Sequence, residues 1–108
     1  MANALADVQD TYASLNDNYD LLLAACQTED QRTALEDQYA AAYNAYLKCA
    51  NQMLEDDDPE IAELSMQLQN DNGQIKKAVT FMGNMSKVID VVTDAVKIGG
   101  QLMKVAGL

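Results

Sequence analysis

From Leu5 onward the apolar residues fall at positions 5, 8, 12, 15, 19, 22 and 26, in alternating steps of three and four. An α-helix gathers residues so spaced onto one stripe, and three heptads of it make the seam of a coiled coil or bundle helix. The opposite face carries Asp7, Asp10, Asp17 and Asp20. One such helix cannot bury its stripe alone, so the rest of the chain must supply partners. No glycine occurs before Gly73 and Pro59 is the only proline, whereas a β architecture needs turn residues about every 8–12 positions. The spacing predicts an all-α fold. It is an antiparallel helical hairpin or bundle of three to four helices with heptad-like seams, a single domain over 1–108.

Helix boundaries follow from local chemistry. The first helix is expected at 3–26. Thr28-Glu29-Asp30-Gln31 reads as a capping box, with Glu29 and Asp30 suited to the positive end of a helix dipole. The seam also changes phase there, which places the break near Gln27; one long helix is the alternative. The second helix is expected over 29–56, with a seam of Leu35, Tyr39, Ala42, Tyr46, Cys49 and Met53. An acidic hairpin over 3–57 results. Antiparallel pairing about Gln27 sets Tyr12 against Ala42 and Tyr19 against Leu35, large against small at the first pair. It leaves Cys26 and Cys49 about 33 Å apart, too far for a disulfide. Four acids at Glu55–Asp58 oppose a helix C-terminus, and Asp58-Pro59 supplies an N-cap and a first-turn proline.

The C-terminal region, 59–108, sends two conflicting signals. Its seam runs Ile61, Leu64, Leu68, Asp71, Ile75, Ala78, Met82, Met85, Ile89, Val92 and Val96 without losing phase. Yet Asn70-Asp71-Asn72-Gly73 is turn chemistry. Turn chemistry is followed here, giving a break or kink at 70–73 and helices at 59–70 and 74–98, with a continuous helix as the alternative. Gly99-Gly100 is expected to end the last helix.

Charge divides the chain in the same place. Acids outnumber bases 15 to 2 before Gly73, while five of the seven cations follow it, for a net charge of −10. Phosphate backbones are repelled by such a body, so nucleic acid is excluded as the expected partner, and a basic protein surface is favoured. Histidine is absent, removing the commonest general base and metal ligand. Cys26 and Cys49 lie in apolar stripes without a cation beside them, unlike nucleophiles. The acidic run lacks the ligand pattern of a calcium loop. No enzyme activity, small-molecule substrate, cofactor or metal is expected.

The tyrosines at heptad spacing read as core with hydroxyls at the rim; a binding patch is the other reading. The methionines read as core filling, with an adaptable partner groove as the alternative. The last helix is apolar well beyond one seam, as a helix with more than one neighbour must be. That surplus marks a partner-binding face at Phe81, Met82, Met85, Val88, Ile89, Val91, Val92, Ala95 and Ile98. The function expected is a non-catalytic protein-interaction or structural module, self-associating as a homo-oligomer or engaging another protein. The alternative is a helical protein active at a membrane interface, or a secretion-associated protein or chaperone. In size and in its start the chain loosely resembles small helical components of bacterial secretion machines, but no motif carries that comparison further. Met1–Leu5 has no positive leader region, and the expected location is cytoplasmic, with non-classical secretion open.

Overall fold

A computed structural model describes residues 3–55, 57–77 and 83–108. Among these, four helices form an all-helical bundle measuring 41 × 21 × 19 Å: α1 (Ala4–Ala25), α2 (Glu29–Cys49), α3 (Pro59–Lys76) and α4 (Met85–Val105). α1 packs on α2, α3 and α4, and α4 packs on α2 and α3, so α2 and α3 stand at opposite corners. The core draws on all four helices, with Leu5, Leu15, Leu22, Leu35, Leu68 and Leu102 fully enclosed.

The starts of the helices follow the expected chemistry. Thr28 Oγ1 accepts from the Gln31 amide at 3.1 Å, and the Gln31 side chain reaches back to the Gln27 amide at 2.7 Å. Asp58 caps α3 through the Glu60 amide at 2.8 Å, one residue before Pro59. The N-cap of α1 does more than local work. Asn3 Oδ1 accepts from both the Leu5 and the Leu54 amides, and the Ala4 amide donates to the Leu54 carbonyl. The link from α2 to α3 therefore crosses beneath the start of α1, which carries the chain between opposite corners.

The ends depart from expectation, each for a specific reason. α2 stops at Cys49, not near 56. Ala50 (φ −58°, ψ 128°) and Asn51 (φ 64°) form a type II turn closed by the Gln52 amide on the Cys49 carbonyl at 3.0 Å. Asparagine is among the few residues that accept positive φ at that position. Met53, expected on the second seam, falls in the link and is exposed.

The break expected at 70–73 is absent. α3 runs through it to Lys76, because Asp71 and Asn72 are buried interior groups. Asn72 donates to the Asp7 carbonyl at 2.9 Å and accepts from the Thr11 hydroxyl at 2.7 Å. Asp7 also takes Ser65 and Gln69, and Lys76 pairs with Asp10 at 3.0 Å. These contacts rise together along both helices, so α1 and α3 are parallel neighbours joined by a polar ladder. Partners satisfied in this way are what make buried polar groups tolerable. α3 instead ends at Lys76, and α4 starts at Met85, where Asn84 caps it through the Lys87 amide. The expected helical positions 78–82 lie outside the described residues.

Gly99-Gly100 does not stop α4 either. A β-carbon on Gly99 would sit 3.6 Å from Val8, ordinary contact, and Leu102 beyond it is fully buried. The terminator is Gly107 (φ 80°). Its amide donates to Lys104 and the Leu108 amide to Met103, a Schellman closure. Gly100, with open space around it inside a helix, is then a propensity cost alone. Gly100→Ala is expected to stabilise the protein by about 1 kcal/mol in urea unfolding. A loss of stability would mean that α4 ends at the glycine pair.

Candidate interaction surfaces

The buried stripe of α4 is Met85, Val88, Val92, Ala95, Ile98, Gly99 and Leu102. Five of the nine residues expected to meet a partner (Met85, Val88, Val92, Ala95 and Ile98) are therefore inside the bundle. Ile89 and Val91 are half-buried at its edge, and Phe81 and Met82 lie outside the described residues. The stripe is also shifted from the expected seam, because the break before Asn84 resets the phase. Ile89 and Val96 move to the flank while Val88 and Ala95 move in. Val88 and Val91 border a cleft of about 290 Å³ between the end of α3 and the start of α4, which Lys77 and Lys87 also line.

Cys26 and Cys49 are free and buried, and burial pushes both thiols up, away from the reactive thiolate. Among the described residues no group of three potential ligands could hold a metal ion, and no helix is long and apolar enough to cross a membrane.

One ionisable pair does stand out. Asp71 is 8% exposed and faces α4, and its Oδ2 has no hydrogen-bond partner among the described residues. Burial first, then the hydrogen bond and charge of Asp94 on α4, push its carboxyl up to about 7. The sequence marked Asp71 only as a polar interruption of the seam.

The other feature lies on the α1–α2 side, where all five tyrosines of the chain converge. Tyr12 sits among the rings of Tyr39, Tyr43 and Tyr46, with centroids 5.7, 5.2 and 5.0 Å away. Those positions bracket Ala42, as the expected register requires. Tyr19 stacks on Tyr39 at 4.0 Å with planes 17° apart. The Tyr39 hydroxyl donates to Asn16 Oδ1 at 2.7 Å and lies 3.5 Å from that of Tyr12. Neither reading of the tyrosines was complete. Four are half-buried and Tyr43 is 43% exposed, so the cluster is packed on one side and open on the other. The spacing of the rings was visible in the sequence; their meeting at one rim depends on the α1–α2 register.

No family model, no curated protein and no solved structure matches this chain.

Proposed function

We propose that the chain is a non-catalytic helical module that works by binding protein. The observation carrying this reading is the aromatic face of α1–α2, which leaves Tyr43 and its neighbour one turn on, Leu47 at 52% exposure, open on the surface of a chain of net charge −10. Rigid amphipathic rings are the side chains that recur at protein interfaces, because they contribute large contact area at small entropic cost. The absence of histidine from the sequence and the burial of both thiols point away from catalysis. In this reading α4 is the packing spine. Its edge residues Ile89 and Val91 are what it offers outside the core, and self-association belongs to the same class of function.

Affinity capture on the immobilised full chain, from cells that express it, tests the reading together with light-scattering mass over a range of concentrations. The expected result is a stoichiometric protein partner or a concentration-dependent mass. A monodisperse monomer that retains no protein, and instead turns over or tightly binds a small molecule, would overturn it.

A further inference from the structure

We propose that the tyrosine face of α1–α2 docks a cationic segment of another protein, an Arg- or Lys-bearing stretch with an apolar flank. This rests on the interaction-module reading above and specifies its surface and its partner.

Three observations converge there. The first is the π-surface itself. An aromatic ring presents a negative face, and a guanidinium or ammonium within about 6 Å of its centroid is attracted to it. Here the ring centroids of Tyr39, Tyr43 and Tyr46 all lie within 5.7 Å of that of Tyr12. The hydroxyl contacts among Tyr12, Tyr39 and Asn16 hold the half-buried part of the cluster in place before any partner arrives, which lowers the entropic cost of binding.

The second is charge. Glu36 of α2 and Asp20 of α1 act on Tyr19 strongly enough to raise its hydroxyl, after burial as the largest cause. Both carboxylates are exposed beside the stacked Tyr19–Tyr39 pair. The nearby cation Arg32 is already engaged by Glu29 at 2.9 Å. The chain before Gly73 taken as a whole has 15 acids and 2 bases, Arg32 and Lys48, a net field that draws in a cationic segment and repels an anionic one.

The third is the apolar rim. Tyr43 and Leu47 sit one helical turn apart on α2, 43% and 52% exposed. Residues so spaced lie side by side. They form a shelf for the aliphatic stem of a lysine or arginine, whose charged end then reaches the rings or carboxylates. An anionic or purely apolar partner would use only one of these three features.

The sequence also supplies the reporter. The chain has no tryptophan and its five tyrosines are all in this cluster, so tyrosine emission reads this face alone. The probe is a synthetic amphipathic peptide of about 16 residues carrying arginines, leucines and one tryptophan, titrated into the full chain. The expected result is saturable tyrosine-to-tryptophan energy transfer. It should weaken about 10-fold when the arginines are replaced by glutamine, and again as salt rises from about 50 to about 500 mM. Tyr43→Ser combined with Leu47→Ser, and separately Glu36→Lys, should each weaken binding about 10-fold. Both should keep the wild-type helical signal at the assay temperature, since none of these side chains belongs to the buried core. Met66→Ser, on exposed α3 surface, should bind as wild type.

Equal binding by the glutamine peptide, or by the Tyr43/Leu47 double variant, would overturn the proposal. So would a wild-type mass that doubles with concentration and reverts to monomer in the double variant, since the face would then belong to a second copy of the chain. The two readings fail separately. A captured partner that the double variant still retains removes the docking face and leaves the module. A chain that captures nothing and does not self-associate removes the module.

Discussion

Asp71→Asn is expected to stabilise the protein by about 2 kcal/mol at about pH 8 and to change it little at about pH 4. The cause is the buried carboxyl of Asp71 on α3, with the exposed Asp94 of α4 beside it. Asp71 in the folded protein titrates near 7, against an unfolded carboxyl near 3.8. Between those two values the native state holds a proton that the unfolded chain has released. Stability is therefore full below the unfolded value, falls as pH rises toward 7, and stays low above it. Asparagine removes the ionisation while keeping a donor of the same shape for Asp94.

On the α1 side Asp10 is taken by Lys76, and Asp7 by Ser65 and Gln69. Burial, and after it the neighbouring Asp94, raise the Asp71 carboxyl. Urea midpoints at three pH values for wild type and variant separate this effect from the general repulsion of a chain with net charge −10, because that repulsion is nearly common to both. Asp94→Asn should recover part of the same energy, and the double variant should gain less than the sum, since the two sites share one interaction. Parallel pH curves for wild type and Asp71→Asn would sink the account.

That pair shows where sequence reasoning stopped. The seam of α1, the capping box at Thr28 and the Asp58-Pro59 start of α3 were legible because their chemistry is local. Each motif carries its own partner within four residues. Asn70-Asp71-Asn72-Gly73 was misread because asparagine, which favours a turn in isolation, also makes good buried contacts, as Asn72 does here. What decides between the two is Thr11, 61 positions away, and no local rule sees it. The type II turn at Asn51 was the reverse case: the signal was local, yet asparagine is weaker punctuation than glycine or proline. The periodicity through 70–73 was the better guide, since turn residues can be absorbed into a helix but an in-phase seam rarely arises by accident. In α4 the periodicity itself misled, because α4 has its own start at Asn84 and a phase of its own.

The shift of phase in α4 sets the second large effect: Val88→Asp should unfold or nearly unfold the protein, while the neighbouring change Val91→Asp should be mild. Val88 is 5% exposed on the stripe that fills the bundle. An aspartate there must either ionise in an apolar interior or hold its proton, and either course costs about 3–5 kcal/mol. Small domains are stable by only about 5–15 kcal/mol in total, so the loss would show as collapsed helical signal or a urea midpoint near zero. Val91 is half-buried at the bundle edge, and the cleft it shares is lined by Lys77 and Lys87. A carboxylate there stays in contact with water and with positive charge, and should cost about 1 kcal/mol or less. The contrast distinguishes a spine from a docking face, because a helix face held open for a partner tolerates charge at both positions and loses binding, not folding. If Val88→Asp melts like the wild type, that stripe is not part of the core, and the partner face inferred from periodicity, from Met85 through Ile98, returns as the better account of α4.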